Sequence, residues 1–187
     1  MDSKNIIEEG IRQFAEAGLK FKMDDIAESL HISKKTIYVY FKSKEELLIA
    51  MLDSFFAEIQ DTKRKILEKD LELTEKLRYV MIAMPEDYSR IELRHLKELH
   101  EMYPAVEAHL VRHLEADWEP VVALMREGME SGVLRKFNIP IMQMMFTASI
   151  EQFLSRSERE AGVPYSEALK EMMDIIMEGV INHENQN

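Results

Sequence analysis

The amino-acid sequence predicts an all-α protein: an N-terminal three-helix bundle containing a helix-turn-helix, followed by a larger C-terminal helical domain. Three observations carry this. Apolar residues recur at three- and four-residue spacing along almost the whole chain. Glycine and proline are scarce, six and five in 187 residues, and most fall between the periodic segments. Three short periodic segments crowd into the N-terminal part of the chain, joined by tight turns, which is the layout of a small bundle with a helix-turn-helix in it.

The first segment places Ile7, Ile11, Phe14 and Ala15 at helical spacing and ends near Gly18. A short second one carries Ile26, Ala27 and Leu30, with Asp24 and Asp25 in its first turn, where carboxylates suit the helix dipole. Ser33 is a good N-cap for a third short helix holding Ile37, Tyr38 and Phe41, with Ile37 and Phe41 assigned to the core. A long helix over 44–69 follows, its stripe formed by Leu48, Leu52, Phe55, Ile59 and Ile66. Further helices are expected over 73–84, 87–102, 105–131, 139–157 and 165–183. Pro104 can open a helix, whereas Pro120 should kink the one it sits in, because it removes an interior hydrogen bond. Gly132 ends that helix, and Gly162-Val163-Pro164 separates the last two. The domain boundary is expected at 48, with a head over 1–48 and a body over 49–187.

Composition narrows the chemistry. With 46% apolar residues the chain can bury a core, and with no cysteine it has no disulfide, thiol nucleophile or thiolate metal site. The start, Met1-Asp2-Ser3-Lys4-Asn5, lacks the basic and apolar regions of a signal peptide, and no apolar run reaches bilayer-spanning length. A cytoplasmic protein without membrane contact is expected. The net charge of −11 is unevenly spread: residues 1–48 hold eight basic and nine acidic residues, so nearly all the negative charge lies in the body. Between Ser29 and Lys44 there is no acidic residue, while Lys34, Lys35, Lys42 and Lys44 are all present. Such a stretch can form a local electrostatic footprint for phosphates even in an acidic protein.

A recognition helix in a major groove needs small polar and basic side chains at its N-terminal end, and Lys34, Lys35 and Thr36 stand there. Tyr38 and Tyr40 can present hydroxyls to phosphates; the alternative is two partly buried amphipathic rings. The run Met23 to Leu48, and within it Ser33-Lys34-Lys35-Thr36-Ile37-Tyr38-Val39-Tyr40-Phe41-Lys42-Ser43-Lys44-Glu45-Glu46-Leu47, resembles the DNA-binding domain of TetR/AcrR-family regulators. Phe14-Ala15-Glu16-Ala17-Gly18 resembles the end of that family's first helix, so the likeness spans roughly 5–50. By this resemblance Thr36, Tyr38, Tyr40 and Lys44 are backbone-positioning contacts, while Lys34, Lys35 and Val39 face the groove. Val39 has no hydrogen-bonding group, so its readout would be apolar, against a thymine methyl. Two positions depart from the family pattern. His31 replaces the usual glycine before the recognition helix, and histidine tolerates a positive φ better than bulkier residues do. Lys22 stands where a capping Thr or Ser usually touches phosphate, and a lysine can still reach the backbone.

The body yields coarser expectations. The segment from Ile139 to Leu154 is apolar nearly all round, and the last one adds Leu169, Met172, Met173, Ile176, Met177, Val180 and Ile181. These two helices form either a thick core or a homodimer interface built as a four-helix bundle. The fourteen methionines read as core filler or as the lining of an adaptable apolar pocket. Met125, Met142, Met145 and Phe146 with Trp118 and Tyr103 are the candidate lining, and His100 and Glu119 are candidate polar contacts for a small-molecule effector. The resemblance implies that such an effector sits among the middle helices.

The function expected is therefore a DNA-binding transcriptional regulator acting on double-stranded operator DNA, a repressor released by its effector. A ligand-independent activator or architectural protein, or a helical metalloprotein, are the alternatives. An enzyme has little support, since no Gly-rich phosphate loop or nucleophile elbow occurs. Glu92-x-x-His95 occurs once where a di-iron bundle needs two copies. His109 and His113, four apart, could hold a metal, but without a His-Glu-x-x-His motif they are expected to be solvated helix-face histidines, and no cofactor or metal is expected.

Overall fold

A computed structural model describes residues 2–83, 99, 101–116, 118–155 and 163–182. Among these the regular elements are helices; the one extended pairing is an isolated antiparallel bridge between Leu134 and Ile181. The expected helix over 87–102 lies, but for a few residues, outside the described residues.

Helix α1 (Ser3–Ala17) is capped by Asp2, whose carboxylate accepts from the Asn5 N–H. Its buried row is Ile6, Gly10 and Phe14; of the expected row Phe14 is buried, while Ile7, Ile11 and Ala15 are only partly so. After a 3₁₀ turn (Gly18–Lys20) come α2 (Met23–Ser29) and α3 (Lys34–Tyr40), the two arms of the helix-turn-helix. Helix α4 (Lys44–Leu67) starts at the cap Ser43 and runs without a break through residue 48, so the expected domain boundary lies inside a helix. Leu47, Leu48, Met51 and Phe56 are its buried residues, and the expected stripe residues Leu52, Phe55, Ile59 and Ile66 flank them.

Beyond α5 (Leu73–Met81) the expected single kinked helix over 105–131 is two helices, α6 (Pro104–Glu115) and α7 (Glu119–Ser131). The reason is local. Proline has no N–H to donate, and an N–H in the first turn of a helix has no partner within it, so Pro120 stands as the second residue of a new helix rather than bending an old one. Gly132 closes α7 with φ 78°, a left-handed conformation that suits glycine at a helix end. Helices α8 (Ile139–Ser155) and α9 (Tyr165–Val180) complete the body.

Two apolar cores result. The first joins α1 to α4 and also takes Leu99 together with Val106 and Leu110 of α6. The second gathers Leu77, Val80, Val121, Met125, Phe146, Ile150, Met173 and Met177 from α5, α7, α8 and α9. Helix α4 serves both, since Ile66 and Leu67 at its far end rest on the second core. An ion pair between Arg78 and Asp174 ties α5 to α9. No helix among the described residues is long and apolar enough to cross a membrane.

Candidate nucleic-acid interface

The helix-turn-helix owes its geometry to a few local choices. At the start of α2 the Asp25 carboxylate accepts the Lys22 N–H at 2.8 Å, so the side chain three residues on caps the helix where Lys22 cannot. Met23, Ile26 and Ala27 turn inward. The turn then needs one residue in left-handed backbone, and His31 supplies it with φ 53°. This is the conformation expected of the glycine that histidine replaces, and it costs about 1 kcal/mol. The Ile32 N–H reaches back to the Ala27 carbonyl at 2.9 Å and closes the turn.

Helix α3 begins at Ser33, whose Oγ accepts the Thr36 N–H at 3.1 Å and shares a hydrogen bond with Thr36 Oγ1 at 2.8 Å. The Thr36 hydroxyl is thus held in the cap. Ile37 is fully buried and Phe41 is 8% exposed, so these two anchor α3 on the core as expected. Apart from the partly buried Thr36, the rest of the short helix turns outward. Lys34 and Lys35 are exposed, Val39 is 74% exposed, and Tyr38 and Tyr40 are each 40% exposed. The exposure of Val39 is high for an apolar side chain, and a surface valine gains nothing from water. Lys34 Nζ stands 2.7 Å from Asp24 Oδ1, an exposed pair between α3 and α2 whose hydrogen bond raises the lysine pKa. Lys22 is also exposed, at the foot of α2.

Lys44 is placed differently from the other candidates. Its ammonium points into the head, donating to the Leu19 and Phe21 carbonyls at 2.5 Å each and lying 4.0 Å from the centre of the Phe21 ring. Burial pushes its pKa down, partly offset by the charge of Asp25. In this state it fastens the start of α4 to the turn that joins α1 to α2.

The expected effector residues are only partly brought together. Met125 (1% exposed) and Phe146 (9%) lie in the second core, with Trp118 and Met142 packed against it, and the Trp118 and Phe146 rings meet edge-on at 5.4 Å. Tyr103 does not join them: it packs on the first core, 6.0 Å from Lys44 Nζ. Met145 is 58% exposed on the outer side of α8, so it does not line an interior pocket. Adjacent residues of a helix point about 100° apart, which separates Met145 from its neighbour Phe146. Glu119 is exposed at the start of α7, and His100 lies outside the described residues. A groove of about 510 Å³, lined by Met129, Gly132, Leu134, Arg135, Lys136, Ile181 and Asn182, opens at the far end of the body.

His109 and His113 are not solvated helix-face residues. Their rings are mostly covered, and both reach Asp53 of α4, a carboxylate that sequence reasoning missed. Only the four-residue spacing of the two histidines hinted at a shared partner.

Comparison with known proteins bears on the head and on the whole fold. Residues 6–51 match the family described as "Bacterial regulatory proteins, tetR family". The HTH-type transcriptional regulator YvaF of Bacillus subtilis (strain 168) is 27% identical over 179 residues, covering 95% of this chain and 94% of that protein. A TetR transcription regulator from Haloarcula marismortui has the same fold, with a TM-score of 0.76, 16% identity and coverage of 96% of this chain and 97% of that one. FadR from Bacillus subtilis, whose crystal structure contains stearoyl-CoA, superposes with a TM-score of 0.60 at 20% identity, covering 95% and 96% of the two chains. The head over 6–51 thus matches the DNA-binding domain of the tetR family, and the all-α body shares its fold along its length with TetR-family structures, so the chain resembles the TetR family of DNA-binding transcriptional regulators.

Proposed function

We propose that the chain is a dimeric, effector-responsive repressor whose α3 reads operator DNA in the major groove. The observation that carries this reading is the outer face of α3. It presents Lys34, Lys35, Tyr38, Val39 and Tyr40 to solvent, within a stretch free of acidic residues from Ser29 to Lys44. Lysines at the helix start neutralise phosphates or reach base edges, tyrosine hydroxyls hold the backbone, and Val39 suits a thymine methyl. Lys22 and the Thr36 hydroxyl add backbone contacts, the latter on leaving its cap. Lys44 acts in this reading by bracing α4 against the turn between α1 and α2 rather than by touching phosphate.

A head this small (residues 1–48 in this reading) contacts one half-site, so selective binding calls for two heads. Helices α8 and α9 supply a reason for pairing. Ile141, Met144 and Met145 on the first and Ile175 on the second are 55–71% exposed, large apolar side chains that a second copy would cover. Two copies of this helix pair make a four-helix bundle. Inside the body over 49–187, Trp118, Met125, Met142 and Phe146 form the part of the second core best suited to an apolar effector, since methionine repacks easily around a guest. Binding there would shift the population toward a separation of the two α3 helices that no longer matches adjacent major grooves.

Selection from a pool of random duplexes with the purified chain tests this reading. The expected product is an inverted repeat whose half-sites lie about one helical turn apart. Recovery of no preferred sequence, or of a single unrepeated site, would contradict it.

A further inference from the structure

Where α4 crosses α6, three metal-ligating side chains converge. His109 Nε2 lies 2.6 Å and His113 Nε2 3.0 Å from the same oxygen of Asp53, and the two Nε2 atoms are 3.2 Å apart. One ligand atom from each residue falls within 4.8 Å of the others. We propose that Asp53, His109 and His113 form a binding site for a divalent transition-metal ion of the zinc class, which staples α4 to α6.

The geometry fits that class. Zinc binds imidazole nitrogen at about 2.0–2.1 Å and carboxylate oxygen at about 2.0–2.2 Å, so neighbouring ligands on a tetrahedral ion stand about 3.3 Å apart. The two nitrogens already have this separation. The Asp53 oxygen must retreat by about 0.3–0.7 Å to match it, and its side chain, 53% exposed, is free to do so. Two imidazoles and one carboxylate suit zinc, cobalt or nickel rather than magnesium or calcium, which prefer oxygen alone. Asp53 is half exposed, so water can supply the fourth ligand.

The rings are held for this purpose. His113 stacks flat on Phe56, centroids 4.3 Å apart and planes 6° apart, so its Nε2 is aimed at Asp53. His109 and His113 sit one turn apart on α6, edge to face at 4.8 Å. Arg112 donates to His109 Nδ1 at 3.0 Å, which leaves the His109 proton on Nε2, facing Asp53. Coordination moves that proton to Nδ1 and sends the exposed Arg112 into solvent. Arg112 therefore opposes the metal, and its removal should tighten binding. The location gives the site a consequence: Asp53 rides on the helix whose Leu47, Leu48 and Met51 form the floor of the reading head. An ion there fixes the head's supporting helix to the body. The site is separate from the Trp118 cluster and does not depend on an apolar effector.

Cobalt(II) and zinc(II) titration of the full-length, untagged protein tests the proposal. The expected result is one ion per chain, with the visible absorption of four-coordinate cobalt, displaced by zinc. Zinc at about 100 times its dissociation constant should raise Tm by about 5 °C or more. Affinity should fall by about 100-fold or more in His113→Ala and in Asp53→Asn, and rise in Arg112→Gln. Helical circular dichroism of each variant without metal reports folding, and the wild-type cobalt spectrum stands independently of any variant. Absence of binding by the wild-type protein, or affinity unchanged in folded Asp53→Asn and His113→Ala, would overturn it.

Discussion

Replacing Lys44 with methionine separates an inward brace from a phosphate contact. The ammonium makes two hydrogen bonds to the Leu19 and Phe21 carbonyls and one cation–π contact with the Phe21 ring. Hydrogen bonds involving a charged group contribute about 1.5–3 kcal/mol each, and the ring contact about 0.5–1 kcal/mol. Against this, methionine keeps the apolar stem and removes the cost of covering an ammonium, the cost that lowers the Lys44 pKa. Leu19 and Phe21 are each 2% exposed, so water has limited access to their carbonyls once the lysine is gone. The net loss is about 2 kcal/mol, or about 4–8 °C in Tm for a chain of this size. Thermal unfolding followed by circular dichroism measures that fall. Fluorescence anisotropy on the selected duplex, across a salt series, measures the other half. Each lysine on a phosphate contributes about 0.9 to the slope of log affinity against log salt. The Lys44→Met slope should equal the wild-type slope. A variant with unchanged Tm and a slope reduced by about 0.9 would refute the brace.

The remaining predictions concern packing, pH and assembly. Gly128→Ala should destabilise by about 1–2 kcal/mol despite alanine's better helix propensity, because the new Cβ would meet Leu134 at 2.6 and 2.7 Å and Leu73 at 2.9 Å. Gly10→Ala should be neutral or stabilising by up to about 1 kcal/mol, since its closest neighbour is the flexible sulfur of Met51; denaturant midpoints compare the two. Glu9 has its carboxyl held down to about 2 from 4.5, chiefly by hydrogen bonds from Arg12. Its contribution is complete above about pH 4.5 and lost as pH falls through 2, so the wild-type chain should lose more stability over that window than Glu9→Gln. Finally, Met144→Glu with Ile175→Glu should convert a dimer to a monomer in sedimentation velocity, with helical content unchanged.

The head was far more legible than the body, for physical reasons. Short helices need caps and special backbone at fixed offsets, and those demands are written locally. Ser33 and Ser43 cap, Asp25 substitutes for a cap at Lys22, and His31 adopts the left-handed φ that the motif required. In α8 the same reasoning lost its grip. A helix apolar on nearly every side has no periodic signal to tell Met142, which packs on the core, from Met145, which faces out. Pro120 was visible, yet kink and break differ only in how the preceding residues settle. Tyr103 was grouped with Trp118 by nearness in sequence, whereas the helix between them carries the two to different cores. Asp53 lies 56 residues from His109, and no local pattern announces a pairing made by two helices crossing.

The claim that the outer face of α3 binds duplex DNA is tested most directly by the salt dependence of operator binding in the wild-type chain and in Lys34→Ala/Lys35→Ala. The wild type should bind the selected duplex tightly and in preference to random DNA. The double variant should bind more weakly, with a log–log slope lower by about 1.8 if both lysines neutralise phosphates. A lower affinity at unchanged slope would move them from phosphates to base edges on the same face. Equal affinity and equal slope in a folded double variant would show that α3 is not the reading surface.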